Sequence, residues 1–420
     1  MRVRLSTAAI AAFLFVAGQA PSLRAQSGTD AWVGTWATAV VSAVAATSPA
    51  PPAAGQPAPP PPPSFKDQTL RQIVRVGLGG ERIRIVLTNA YGTAPLIVAS
   101  THVALREKGA AIKGGTDRAV MFEGRSNVTI PAGAVAISDA VSLSVPAFAD
   151  LAVSVHLPDA TGNSPATMHT LGLQTNYVTS GNQASAPDLA GPATNQNWFY
   201  LSRVDVATTG PAMALVTLGD SITDGTRSTP DTNNRWPNHF AKRLSAQGVK
   251  MGVMNVGISA NRLLSEPVGA SALTRFDRDV IAQTGATHVV VLEGINDIRR
   301  MPVTVADLVF AHKQLITRAH AKGLKIYGAT LLPFEGDPQY NPETEAKRQG
   351  INQWIRTSGA YDGVIDFDAA VRDPGQPTKI QQKFDSGDHL HPNDVGYEAM
   401  ANAVDMKLFT GSRQPATASR

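Results

Sequence analysis

Two short segments, far apart in the chain, carry side chains that could do chemistry together. Ser221 stands in Gly219-Asp220-Ser221-Ile222-Thr223-Asp224-Gly225, directly after the apolar run Ala212 to Leu218. Much later comes Asp388-His389-Leu390-His391-Pro392. A serine at a strand end and a late Asp-x-x-His supply the attacker, base and orienter of a nucleophilic hydrolase. Taken alone, Gly-Asp-Ser is a weak signal, because a serine there also fits a plain helix N-cap. Three further segments strengthen it. Val253 to Asn261 overlaps and follows a second apolar run, Gly294-Ile295-Asn296-Asp297 follows a third, and Asp388 to His391 precedes the last helical pattern. A site needs such loops gathered at one sheet edge.

Other reactive-looking residues read as structural. Asp388 with His389 suggests a metal pair, but one short cluster without partners elsewhere is a poor ligand set. No metal and no organic cofactor is expected. His239, His288, His312 and His320 fall in predicted helices or a strand, and Asp297 beside Asn296 is expected to brace its loop. Trp236, in Arg235-Trp236-Pro237 at a helix start, is expected in the core. The Gly-x-Ser-x-Gly elbow of α/β-hydrolases is absent.

The elements that must position these residues fall into two rhythms. From about Asp67 to Val206 the pattern is all-β, a sandwich or jelly roll. Gln72–Leu78 and Arg82–Leu87 alternate apolar and polar, with Gly79-Gly80 between them as an expected hairpin turn. Further strands are expected at Ser100–Leu105, Ala119–Phe122, Asn127–Ile130, Val141–Val145 and Leu151–Leu157, with Trp32–Trp36 as an N-terminal strand. From Pro211 strands alternate with helices. Strands are expected at Ala212–Leu218, Met251–Val256, His288–Leu292, Lys325–Leu331 and Gly363–Phe367. Helices are expected at Asn233–Gln247, Ala272–Thr284, Val305–Lys322, Pro342–Ser358 and Asp394–Leu408. That alternation predicts an α/β fold with a parallel sheet covered on both faces.

Composition sets the class. Of 420 residues, 43% are apolar and 17% charged, as in a core-forming globular protein. Residues 1–25 read as a secretory signal, with Arg2 and Arg4 ahead of a short apolar stretch and a cleavage point near Ala25/Gln26. A secreted or periplasmic protein is therefore expected. The stretch is too short to span a bilayer, and none of about 20 apolar residues follows, so no stable membrane anchor is expected. Removing the signal leaves 34 basic against 33 acidic residues, a net of +1, so nothing points to nucleic acid. The chain has no cysteine, which excludes disulfides, thiolate metal sites and a lipidated cysteine. The expected organisation is a signal at 1–25, an all-β domain at 26–206 with a Pro/Ala-rich loop at 41–64, a hydrolase domain at 211–410 and a tail at 411–420. No internal repeat is present.

The set of segments, in this order, resembles the SGNH/GDSL hydrolase superfamily over roughly Pro211 to Leu408. The resemblance implies that Ser221 is the nucleophile, His391 the base and Asp388 its orienter. It makes Asn296 an oxyanion donor through its side-chain amide, beside the backbone amide of Ser221. The family's second block ends in a glycine whose N–H is another donor. Counted from Asn255, that position is Ala260, with Gly257 a shifted alternative. If the site needs φ > 0 there, the alanine methyl costs about 1 kcal/mol or more. A flavodoxin-like strand order 2-1-3-4-5 follows by analogy. The all-β part resembles β-sandwich domains that precede SGNH domains in some secreted carbohydrate esterases. This implies a serine esterase removing short acyl groups, acetyl above all, from a small-molecule or polysaccharide ester. The rival readings are a lipolytic or lysophospholipase-like enzyme, an acyltransferase, and a glycan-binding module with a degenerate hydrolase domain, for which Ala260 is the one argument.

Overall fold

Runs rich in Val, Leu, Ile and Met form the strands Met213–Gly219, Met251–Gly257, Ala286–Leu292, Lys325–Ala329 and Gly363–Ile365. All their pairings are parallel. Helices cover both faces, which is why these strands read as continuous apolar runs and not as alternating ones. Numbered along the chain, their spatial order is 2-1-3-4-5, the order the resemblance implied. The first strand thus lies between the second and the third. The residues that leave these three strands, at Asp220, Ile258 and Glu293, share one carboxyl edge. The computed structural model describes residues 31–43 and 62–410. The signal at 1–25, most of the loop at 41–64 and the tail at 411–420 lie outside the described residues.

The main helices are Trp236–Ala246, Val305–Ala321, Pro342–Thr357 and Asp394–Ala403. Trp236 is fully buried and opens its helix with Pro237 in the first turn. Gly248 and Gly323 follow two of these helices at positive φ, 73° and 69°. Two expected helices are corrected. Ala272–Thr284 is α-helical only to Phe276 and continues as a π-helix from Asp277 to Ile281, where buried Asp279 accepts from both Arg275 and Arg278. Asp394–Leu408 breaks at Val404, and a short second helix runs from Lys407 to Thr410. Among the described residues, no helix is long and apolar enough to cross a membrane.

Before Met213 the described chain is strand-rich, in sheets of five, seven, three and two strands. Ala31–Ala37 pairs antiparallel with Leu201–Thr208, so the first and last strands of this layer are neighbours. Val141–Val145 falls where its alternation places it. The expected hairpin at Gly79-Gly80 does not form. Gln68–Arg75 joins the seven-stranded sheet and Gly80–Thr88 the five-stranded one. Neither glycine has the positive φ that a tight hairpin turn requires. Gly79 is instead needed for close approach, since a Cβ there would clash with the Val145 carbonyl oxygen. The expected strand Ala119–Phe122 shrinks to Arg118–Ala119, with Phe122 in a single bridge to Arg125.

The described residues belong to one compact unit. The strand layer packs on the parallel sheet through glycines. A Cβ on Gly252 would strike the Gly34 carbonyl oxygen, and one on Gly34 would strike the Met254 sulfur. The Gly34 N–H donates to the Thr284 carbonyl oxygen at 2.9 Å. Val33, Trp36, Met254 and Val256 lie in one continuous apolar core.

Candidate active site

Ser221 is the first residue of a four-residue helix, Ser221–Asp224, that begins where the central strand ends. Its N-cap is Asp220, whose Oδ1 accepts from the Ile222 N–H at 3.0 Å. The serine therefore does not cap the helix, and its hydroxyl is free for another partner. That partner is His391 Nε2, 2.8 Å from Ser221 Oγ. On the other side of the ring, His391 Nδ1 lies 2.8 Å from Asp388 Oδ2. The backbone N–H groups of Leu390 and His391 donate to Asp388 Oδ1, at 3.1 and 2.9 Å. Partial burial pushes the Asp388 carboxyl up, but the His391 ring and these two N–H groups outweigh it and hold it well below the usual range. An ionised carboxylate only accepts, so Nδ1 carries the imidazole proton and Nε2 is left to accept from the Ser221 hydroxyl. The order serine to imidazole to carboxylate is thus set by hydrogen bonding alone.

The expected oxyanion donors fall in the segments that leave the carboxyl ends of the three adjacent strands. The Ser221 N–H sits at the first helical position, where no intrahelical acceptor exists. Ala260 is exposed and held at φ +62°, the left-handed region. It stands between two anchored residues. Ser259 donates from N–H and Oγ to Asp224 Oδ2, at 3.0 and 2.7 Å. Asn261 Oδ1 accepts from Arg275 Nε at 3.0 Å, and its carbonyl oxygen accepts from Asn296 Nδ2 at 3.0 Å. The shifted alternative, Gly257, is excluded as a donor. Its N–H already donates to Asn255 Oδ1 at 2.9 Å, and a Cβ there would clash with the Asp224 nitrogen, so this glycine serves packing.

Asn296 has a fixed orientation. Arg299 Nη1 donates to its Oδ1 at 3.0 Å, and arginine has no acceptor, so the amide nitrogen must face the opposite way. One of its two N–H bonds holds Asn261, and the other remains for a ligand. Arg299 is held in turn by Asp337, at 2.6 and 3.1 Å, and by Gln339 at 2.7 Å. Asp297 braces the loop, as expected. Its two oxygens accept from the Leu263 and Leu264 N–H groups at 2.8 and 3.0 Å. His389 is exposed, with Nδ1 2.6 Å from Asp385 Oδ2.

Two buried carboxyl groups, Asp220 and Glu293, follow the ends of the first and third parallel strands. Burial pushes Asp220 up to about 6 against the pull of the Ile222 N–H, and pushes Glu293 well above its usual value, with the Asp220 charge adding to the effect. Both Glu293 oxygens and Asp220 Oδ2 are buried without a hydrogen-bond partner. Beside these three side chains, Arg227 Nε lies 3.0 Å from Asp388 Oδ2, the same oxygen that faces His391. Sequence reasoning missed Arg227, Arg299 and Asp224. Arg299 and Asp224 left a local trace, each one helical turn from a motif residue, Asn296 and Ser221.

Residues 217–399 match the GDSL-like Lipase/Acylhydrolase family, and this part of the chain is an SGNH/GDSL hydrolase domain. It has the fold and the segment order that define that class of esterases and hydrolases. No curated protein matches the chain. Among solved structures it is similar to a GDSL-like lipase from Bacteroides thetaiotaomicron VPI-5482, at 18% identity and TM-score 0.37, covering 48% of this chain and 91% of that one. It is also similar to a variant of an acetyl-xylooligosaccharide esterase from Geobacillus Stearmophilus, at 21% identity and TM-score 0.38, covering 48% and 96%. The M. Smegmatis aryl esterase gives 16% identity and TM-score 0.37, covering 46% and 96%.

Proposed function

We propose that this protein is a serine esterase in which Ser221, His391 and Asp388 hydrolyse a carboxylic ester. The observation that carries the reading is the continuous hydrogen-bonded line from Ser221 Oγ through the imidazole to Asp388. His391 Nε2 takes the hydroxyl proton as Oγ attacks the ester carbonyl. The tetrahedral oxyanion is held by the Ser221 and Ala260 N–H groups and by the remaining N–H of Asn296, each such donor worth about 3–4 kcal/mol in the transition state. His391 then gives the proton to the leaving alcohol, and Asp388 keeps the ring in the productive tautomer. Water, deprotonated by the same imidazole, releases the acyl group.

The substrate we infer is a short-chain ester, acetyl above all, on a carbohydrate. What supports this is the strand-rich layer ahead of the hydrolase domain and its likeness to the sandwich domains of secreted carbohydrate esterases. The basic and apolar pattern of residues 1–25 supports action outside the cytoplasm. Turnover of p-nitrophenyl acetate should fall at least 10³-fold in Ser221→Ala, with the circular dichroism spectrum unchanged. Retained turnover in a folded variant would overturn the assignment. Acetylated xylan and pectin, beside p-nitrophenyl esters of rising chain length, separate a carbohydrate esterase from a lipolytic one.

A further inference from the structure

One side chain of the strand layer, His169, bonds to the helix that carries Ser221. His169 lies in the strand Thr167–His169 of the three-stranded sheet and is buried, as is Asp224, the last residue of the nucleophile helix. His169 Nε2 stands 3.0 Å from Asp224 Oδ1, and His169 Nδ1 stands 2.7 Å from the Ala39 carbonyl oxygen. Both partners are acceptors, so both ring nitrogens donate when both bonds are made. The other oxygen of Asp224 holds Ser259 twice, by N–H and by Oγ. Thr226 Oγ1 closes the cluster, 2.9 Å from Ser259 Oγ. Ala260 follows directly, at a φ that L residues avoid. A strained residue persists only where its surroundings over-determine it.

We propose that His169 is a positioning residue for the oxyanion site. Through Asp224 it fixes Ser259 and so keeps the Ala260 N–H aimed at the reacting carbonyl. The strand layer is then part of the catalytic apparatus as well as a neighbour of the substrate. Asp224 also lies one helical turn from Ser221, so the same bond steadies the nucleophile helix. Without His169 the buried Asp224 carboxyl loses a hydrogen-bond partner, and the turn it holds is released. This inference rests on the proposed esterase reading.

The test uses the full chain and p-nitrophenyl acetate. His169→Ala should lower kcat about 10- to 100-fold while KM changes by less than about threefold, because the lost interaction acts mainly in the transition state. His169→Gln, which can still donate to Asp224, should recover part of that loss. Ala260→Gly should raise kcat more in the His169→Ala background than in the parent, since glycine adopts the left-handed conformation without bracing. A loss of melting temperature alone would move none of these three readouts. Should His169→Ala fail to fold, Ser259→Ala removes one of the two bonds to Asp224 and should lower kcat several-fold by the same logic. Parent-like kcat in folded His169→Ala, or in folded Ser259→Ala where the first does not fold, overturns the inference. So does a loss in His169→Ala that neither His169→Gln nor Ala260→Gly eases. Ser221→Ala separates the two levels. If it keeps turnover, the esterase reading fails. If it is inactive while His169→Ala behaves as the parent, only the role of His169 fails.

Discussion

At the scale of single residues, the site is a set of protonation states enforced by neighbours. Asp388 is kept ionised by the His391 ring and the two backbone N–H groups it accepts from, and its charge fixes the imidazole tautomer. Asp220, by contrast, is buried with one oxygen unpartnered and titrates at about 6. A carboxyl whose folded value exceeds its unfolded value keeps its proton longer in the native state. Between about pH 4 and 6 the unfolded chain has lost that proton while the folded one retains it. The stability contributed by Asp220 therefore falls as pH rises through that window and is level above it. Asp220→Asn keeps the helix cap and removes the titration. Its unfolding free energy, from denaturant titration, should decline less than the parent's from pH 4 to 6, with a difference of up to about 3 kcal/mol. Equal slopes in the two proteins would count against a buried, proton-retaining Asp220.

At the scale of elements, the site depends on how closely the nucleophile helix sits on the second parallel strand. Gly257 makes this possible, because any Cβ would meet the backbone of Asp224. Gly257→Ala should push the helix away and cost about 1–3 kcal/mol in stability. Esterase activity should fall about 100-fold, as for an ångström-scale displacement of a catalytic group. Unchanged kcat in this variant would mean the helix tolerates movement. The parallel strands were legible in the sequence because strands buried on both faces leave unbroken apolar runs, as at Leu215 and Val216. The meeting of Ser221, His391 and Asp388 was legible because each sits in a short motif at a strand or helix boundary. The Gly79-Gly80 turn misled because paired glycines serve close approach as readily as positive φ. His169 and Arg227 were not legible at all. Their partners lie 55 and 161 residues away, and a contact that long leaves no periodic mark. Strands of two or three residues, such as Ala111–Ile112 and Trp198–Phe199, are too short to show alternation.

At the scale of the whole molecule, the strand layer and the α/β layer share one core and several partly buried polar bonds. Arg278 donates across the boundary to the Val40 carbonyl oxygen and to the Tyr91 hydroxyl, and Thr284 donates to Asp205. Layers joined in this way should unfold together. Calorimetry should show a single transition for the described body, and Gly252→Ala, which forces the layers apart at Gly34, should lower its midpoint while keeping it single. Two resolved transitions in the parent would show that the layers are energetically independent. The central claim also lives at this scale, since residues from four separate loops must meet at one hydroxyl. It is tested most directly by covalent capture. A fluorophosphonate reacts only with a serine whose hydroxyl is activated by a neighbouring base. Peptide mapping by mass spectrometry should find one adduct, on Ser221, and His391→Ala should lose it while remaining folded. An adduct on any other residue, or no adduct on Ser221 in a folded and esterolytic protein, would contradict the account.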